Sequence, residues 1–498
     1  MRYNILCGGP AGQGPNFIAN IISKGLVEKG FYVFSSREYE SRIRGGHNYN
    51  IITFSDKPLY SNSIQVDILI ALDDVSEVVH KDNLKKNVLI IKEEKSNVLA
   101  AGSAFKVLGI DFSILDSELK NQGNYNENIS EAKKGYAAEN RILNLPKVSK
   151  RKGLYIWAGN DGISFGASQS GLDFYYAYPM TPSTGVFFKF ALEESSSKYV
   201  TVQLESEIAV VNAAIGSAIM GKKAMIGTSG GGFDLMTESL SLAGGAEVPL
   251  VMYLAQRPGP ATGAATYTAQ GDLNMARHSG HGEFIRVVSA PGDPIECAAL
   301  TSQSFYLTQK YQIPGIILSD KHLADSIFSL TEKPSIVKSQ VKIKWPARFT
   351  SYESDKDKIA NSSGKNIILS VQKRKEKYLK LEKEIGTMKA YSIYGKKNSK
   401  NLVIGWGSTK GAILDSIKSL DCKFIQIIYL EPFSKKIKEE LKKAKNLILV
   451  ENNSNSPLSS LIAEKTGIFI EEKNKILKYD GRPFFYEALL SEIKKRLK

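Results

Sequence analysis

Residues 199–236 read YVTVQLESEIAVVNAAIGSAIMGKKAMIGTSGGGFDLM. A short apolar run ends at Leu204, acidic ESE follows, and IAVVNAAIGSAIMG then has the small, apolar content of a packed helix. Ser206 stands where an N-cap hydroxyl would accept from a backbone N–H, and Glu207 falls in the first turn, where the helix dipole favours a carboxylate. KAMIGT resumes an apolar run, and TSGGGF breaks it with glycines. Strand, helix, strand and glycine loop in succession form the unit of a buried parallel sheet. Position alone assigns Glu207 to stabilising its helix; its neighbours decide whether it does more.

The same alternation extends in both directions. LYIWAG (154–159), FYYAY (174–178), PLVMYLA (249–255) and PGIILSD (314–320) read as further strands, so residues 152–335 are expected to form one doubly wound α/β domain. Towards the N-terminus, YNILC runs into GGPAGQG, and Phe17, Ile18, Ile21, Ile22 and Leu26 then follow helical spacing. With VDILIAL (66–72) and NVLIIK (87–92) as parallel strands, residues 1–125 form another α/β domain. Polar residues 126–151 are expected to be a linker and Lys-rich residues 336–395 an irregular connector. KNLVIGWGS, KFIQIIYL and NLILVENN place a third α/β domain at 396–498. No internal repeat of fixed period is present.

A chain of 498 residues exceeds one hydrophobic core, and 42 % apolar with 23 % charged residues is the composition of a globular protein. Cys7, Cys297 and Cys422 are far apart with no CxxC pair, which argues against disulfides, a zinc site or an iron–sulfur cluster held by this chain alone. No apolar run reaches the length of a membrane span, and MRYNILCGGPAG is broken too early for a secretory segment; a cytoplasmic location is expected. The net charge of +15 is spread over the surface and concentrated after residue 330 without stacking aromatics or a nucleic-acid motif, so no nucleic-acid partner is expected.

In an open parallel sheet the ligand crevice lies beyond the carboxyl ends of the strands. YPMTPST (178–184), ESE (205–207), TSGGGF (228–233) and QRPGPATGAATY (256–267) each follow a predicted strand. Pro179 and Pro182 restrict their own φ angles and push Tyr178 and Thr181 to extended conformations, which fixes the Thr181 hydroxyl at little entropic cost. A rigid turn and an anion-binding loop both fit that pattern. Arg257, a planar donor fork just past an apolar strand, suits carboxylate recognition, although a lone arginine is more often a surface residue. His278 and His281 lack companions for a metal site. HExxH and P-loop lysine motifs are absent, which removes the commonest metalloprotease and kinase readings. GGPAGQG between strand and helix could be a phosphate cradle or a plain tight turn; it is not GxGxxG.

Together these segments resemble the alpha subunit of the 2-oxoacid:ferredoxin (acceptor) oxidoreductases with a gamma domain fused at the N-terminus, and most resemble the 2-oxoglutarate branch (2-oxoglutarate synthase). GGPAGQG and YESRIRGGHN resemble the gamma signatures; WAGNDG, YPMTPST, ESEIAVVNAAIG, TSGGGFDLM, AQRPGPATG, QGDL (270–273) and HGE (281–283) the alpha core; IGWGST, EPF, VENN and KYDGRPF its C-terminal part. The resemblance implies a gamma-like domain, a thiamine-diphosphate pyrimidine-binding domain and a transketolase C-terminal-like domain. It also implies oxidative decarboxylation of a 2-oxoacid to acyl-coenzyme A, with electrons passed to ferredoxin.

Glu207 matches the family's glutamate that hydrogen-bonds the cofactor's aminopyrimidine and stabilises its imino tautomer; Pro179 is a further thiamine-diphosphate contact. Thr181 and Arg257 match the ligands of the substrate carboxylate. Gly12, Gln13, Gly14 and Arg44 are candidate coenzyme A contacts. No GDG…N segment and no cluster cysteines are present, so the resemblance assigns magnesium, the diphosphate half of the cofactor and the iron–sulfur cluster to a beta subunit, in a paired alpha–beta heterodimer. Met180 and Gly231 depart from the family's usual Ile and Pro, and GNDG from GNEA, without removing a reacting group. A non-catalytic assembly subunit of the same fold is the competing reading, and pyruvate or branched-chain 2-oxoacids are the competing substrates.

Overall fold

The computed structural model describes residues 1–40, 45–120, 123–196, 198–338, 352–357 and 359–497. They form two compact units, one of 1–158 with 325–332 and 484–490, the other of 159–324 with 333–483 and 491–498.

The first unit is built on a seven-stranded mixed sheet in the order Leu84–Lys92, Val66–Ala71, Arg2–Pro10, His47–Ser55, Tyr32–Glu38, Ile327–Leu330, Tyr155–Ala158. The first three are parallel, as the apolar runs at 66–72 and 87–92 predict, and the rest antiparallel. Helix Pro15–Lys29 packs Ile18, Ile22 and Leu26 against this sheet with Phe31, Phe54 and Ile70.

Two expectations are corrected here. Tyr155–Ala158, read as the first strand of the doubly wound domain, pairs with Ile327–Leu330 in the first unit's sheet instead. Local sequence specifies that a strand forms but not its partner. Half of the expected linker is the helix Tyr125–Ala138, which packs on the helix Asn97–Val107. Its few apolar residues concealed it: the contact is made backbone to backbone, because a side chain at Gly135 would overlap the Leu99 carbonyl and one at Gly102 the Ala132 carbonyl.

The second unit contains the doubly wound sheet, in the order Tyr429–Glu431, Val287–Ser289, Pro314–Asp320, Leu250–Gln256, Ala224–Thr228, Phe174–Ala177, Val200–Gln203. All but the first are parallel. Helix Glu207–Ile219 covers it with Val210, Val211, Ala214 and Ala218. A five-stranded sheet follows, in the order Tyr391–Gly395, Lys423–Ile427, Asn401–Trp406, Asn446–Glu451, Lys475–Leu477. Its Leu402, Ile404, Trp406 and Ile425 share one hydrophobic core with Val288, Ile316 and Leu318 of the doubly wound sheet.

The connector also differs from expectation, since Gly364–Ile385 is a helix of 22 residues. Ser363 caps it by accepting from Asn366 N at 3.3 Å, and Leu381 and Ile385, one turn apart, join a core with Leu300, Leu307 and Tyr429. Its lysines lie mostly on the solvated side, so the composition looked irregular although the period was helical.

Candidate functional site

Strand order places the site. Val200–Gln203 lies on one side of Phe174–Ala177 and Ala224–Thr228 on the other, so the chain's winding reverses there and the loops at the carboxyl ends diverge to open a crevice. YPMTPST and TSGGG stand on either side of that point.

YPMTPST is held from several directions. Ser183 Oγ donates to the Met180 carbonyl at 2.7 Å. Asn160, from GNDG, donates through Nδ2 to the Pro182 carbonyl at 3.3 Å and accepts from the Tyr253 hydroxyl at 2.8 Å. The Thr181–Pro182 peptide is cis. Arg257 Nη1 donates to the Thr181 carbonyl at 2.8 Å, so two residues singled out separately in the sequence are neighbours. The contact uses the Thr181 backbone and leaves its hydroxyl for other work. Pro179 sits half-buried on the same loop.

Glu207 is the first residue of its helix, with Ser206 Oγ accepting from Ala209 N at 3.3 Å. The residue is only 4 % exposed, and among the described residues no hydrogen bond or ion pair reaches its carboxylate. The glycine loop makes room for it: a methyl carbon at Gly232 would stand 2.7 Å from Glu207 Oε1 and would overlap Thr228 Oγ1.

Sequence reasoning passed over one acidic residue of this crevice. Asp272 donates its backbone N–H to Gln256 Oε1 at 2.9 Å, and fully buried Gln256 donates in turn to the Ser319 carbonyl at 2.9 Å. The Asp272 carboxyl is thereby carried to the strand end that bears Arg257. Burial, with Asp234 adding to it and Arg257 opposing it, pushes this carboxyl up to about 6. Its only sequence signal was its place in QGDL.

The family-like motifs of the C-terminal part hold the same loop. Gln270 Nε2 donates to the Trp406 carbonyl and its Oε1 accepts from Asn452 N, both at 2.9 Å; Asn453 Nδ2 donates to the Gln270 carbonyl at 2.9 Å. Beneath them Glu451 Oε1 accepts from Trp406 Nε1 at 2.9 Å, Asn453 Nδ2 at 3.1 Å and Leu458 N at 3.2 Å. Full burial pushes Glu451 up to about 7 despite these donors. Asp320, raised by burial as well, accepts from Thr268 Oγ1 at 3.2 Å and Leu323 N at 3.1 Å.

Gly12, Gln13 and Gly14 belong to the other unit. Gly14 caps the helix Pro15–Lys29 at φ 81°, Gln13 N donates to the Pro10 carbonyl at 3.2 Å, and Ala11 N donates to the Gly46 carbonyl at 3.1 Å, bringing GGPAGQG beside GGHN. Gln13 borders a cavity of about 420 Å³ lined also by Glu93, Glu94, Lys95, Glu127 and Glu131. That lining is acidic and disfavours phosphate on this side. Arg44 lies outside the described residues. Among the described residues no group of three or more His, Cys, Asp and Glu could hold a metal ion, and no helix is long and apolar enough to cross a membrane.

A crevice at the carboxyl edge of a doubly wound parallel sheet is where proteins of this architecture bind their ligands. Residues 165–389 match the family described as pyruvate flavodoxin/ferredoxin oxidoreductase, thiamine diphosphate-binding, and residues 4–135 match pyruvate ferredoxin/flavodoxin oxidoreductase. The 2-oxoacid:ferredoxin oxidoreductase subunit alpha of Sulfolobus sp is 29 % identical over 617 aligned positions, covering 100 % of this chain and 97 % of that protein. The 2-oxoglutarate synthase subunit KorA of Methanothermobacter marburgensis is 35 % identical over 202 positions, covering 40 % of this chain and 54 % of that protein. The fold is shared with 2-oxoglutarate:ferredoxin oxidoreductase from Magnetococcus marinus, solved with 2-oxoglutarate, coenzyme A and succinyl-CoA bound, at a TM-score of 0.88, 24 % identity and full coverage of both chains. The chain is similar along its whole length to 2-oxoacid:ferredoxin oxidoreductase alpha subunits, and as their homologue it is an oxidoreductase subunit.

Proposed function

We propose that this chain supplies the pyrimidine-binding half of a thiamine-diphosphate site that oxidatively decarboxylates a 2-oxoacid, with Glu207 as the catalytic carboxylate and Thr181 and Arg257 as the substrate-carboxylate ligands. The observation that carries the reading is the pairing of Arg257 with the Thr181 loop in the crevice where Glu207 has no side-chain partner among the described residues. The residues fit the group: the Glu207 carboxylate is open to a hydrogen-bond donor, and Gly232 lets the glycine loop approach it without a side chain between them. When bound, thiamine diphosphate supplies a nucleophilic carbon and an electron sink for the loss of carbon dioxide.

Glu207 would hold the pyrimidine side of the cofactor by a hydrogen bond, and Pro179 would pack on that side. Arg257 orients the substrate carboxylate with the Thr181 hydroxyl as second donor, positioning the scissile bond without enclosing the anion in a full set of charges. Asn160 and Ser183 keep that hydroxyl in place by fixing the loop backbone.

The partner is a beta subunit that carries the magnesium-bound diphosphate half and the iron–sulfur cluster, the two chains pairing as a heterodimer that delivers electrons to ferredoxin in the cytoplasm. Residues 1–125 act as the gamma-like domain, whose unit also takes in the strands Tyr155–Ala158 and Ile327–Leu330, 159–324 act as the pyrimidine-binding domain and 396–498 as the transketolase C-terminal-like domain. Coenzyme A accepts the acyl group. Since acidic residues line the cavity at Gln13, Gly12, Gln13 and Gly14 suit the uncharged pantetheine better than the phosphates, which the basic segment around Arg44 would take. The substrate is 2-oxoglutarate, supported by the names of the KorA relatives, which are 33–37 % identical over 34–41 % of this chain.

The test is co-expression with the beta subunit and measurement of coenzyme A-dependent reduction of a low-potential acceptor with 2-oxoglutarate, pyruvate and a branched-chain 2-oxoacid. Highest kcat/KM for 2-oxoglutarate is expected. No turnover of any 2-oxoacid by a complex with cofactor and cluster bound would favour the assembly-subunit reading.

A further inference from the structure

Asp272 heads the helix Leu273–His278, yet its side chain makes no capping hydrogen bond to that helix. Its Oδ2 is buried with no hydrogen-bond partner, and a methyl carbon at Gly230 would stand 2.8 Å from it. An aspartate at a helix start ordinarily spends its carboxylate on the first free N–H groups. Here Gln256 takes the Asp272 backbone N–H, and Gly230 leaves the space into which the carboxyl turns. The charged groups acting on it are Arg257, the residue after Gln256, and Asp234, on the helix Gly230–Leu235.

We propose that Asp272 is a charge-compensating residue of the substrate site, which takes up a proton from solvent when an anionic 2-oxoacid occupies Arg257. This rests on the reading of Arg257 as the carboxylate ligand. Without substrate, Arg257 partly balances the Asp272 carboxyl. A bound 2-oxoacid brings a further negative charge to the same guanidinium, and the protein answers by neutralising the Asp272 carboxyl, whose Oδ2 lacks a hydrogen-bond donor among the described residues. Asp272 is poised for this, because burial and Asp234 already raise it to about 6 in the free chain. A rise of one unit or more on binding corresponds to uptake of roughly half a proton at pH 7. Arg257 can thus hold the substrate firmly without the neighbouring aspartate repelling it.

The experiment uses the assembled alpha–beta complex and two unreactive probes, N-oxalylglycine for a 2-oxodicarboxylate and oxamate for pyruvate. Calorimetric titrations at pH 7 in buffers of low and high ionisation enthalpy read the number of protons exchanged. Uptake of about half a proton, abolished in Asp272→Asn while probe binding persists, is the expected result; Asp272→Ser serves where Asn disturbs assembly. A merely structural Asp272 would alter affinity without altering proton uptake. Probe binding with the same heat in both buffers, or uptake unchanged in the variants, overturns the role of Asp272 while leaving Arg257 as the anchor. Binding of neither probe overturns both readings.

Discussion

Replacing Gly232 by Ala tests whether Glu207 must stand where the structure puts it. The added methyl carbon would be 2.7 Å from Glu207 Oε1 and would overlap Thr228 Oγ1, itself fully buried and unable to withdraw. Van der Waals separation is roughly 3.5 Å, so the carboxylate must retreat by about 0.8 Å. A displacement approaching 1 Å at a reacting group costs on the order of 10²-fold in rate. Overpacking of this kind also lowers folding stability by about 1–3 kcal/mol. The assay is 2-oxoacid-dependent reduction of a low-potential acceptor by the assembled complex, alongside a thermal melt to show that the variant is folded. Gly216→Ala is the control: it lies on the same helix as Glu207, nothing is within 4 Å of its added carbon, and it is expected to retain activity and gain up to about 1 kcal/mol of helix stability. Wild-type kcat in a folded Gly232→Ala complex would show that Glu207 is not a positioned catalytic carboxylate.

Other expectations concern charge. Glu207→Ala should abolish turnover while the complex still assembles, checked by gel filtration beside the activity assay. Arg257→Ala should act chiefly on KM, with a rise of roughly 10²-fold for losing a charge-assisted contact, and Arg257→Lys should recover only part of it. Glu451 titrates near 7 in the fold against 4.5 unperturbed, so its neutral form is the favoured one. Its stabilising contribution is therefore fully present below about 4.5 and is lost as pH rises through about 7, a change on the order of 3 kcal/mol. Glu451→Gln, always neutral, should flatten the fall in Tm between pH 5 and 8; an unchanged slope would place the burden on another group.

The motif-bearing loops were legible because their chemistry is local. Two prolines around Thr181 restrict the backbone whatever surrounds them, and an arginine after an apolar strand must end at a sheet edge. The helix Gly364–Ile385 was hidden by lysines that face water, and the helix Tyr125–Ala138 by packing through Gly135 rather than through apolar side chains. Asp272 was passed over because nothing in QGDL marks its carboxyl, and only three-dimensional contacts reveal that Gln256 holds its backbone while its carboxyl does no capping.

From the sequence alone came the α/β class, the strands at 174–178, 199–204, 223–228, 249–255 and 314–320, and Thr181 and Arg257 as candidate anion ligands, since hydrophobic period, proline restriction and side-chain type are properties of short segments, whereas Glu207 took its role from the family resemblance. Tertiary structure decided which strands pair, that Arg257 meets the Thr181 backbone at 2.8 Å, and that Glu207 is a largely buried residue with no side-chain partner among the described residues. It also turned the distant VENN and IGWGST segments into the clamp on the loop carrying Asp272. Partner choice and desolvation depend on groups hundreds of residues apart in the chain, and no local pattern encodes them.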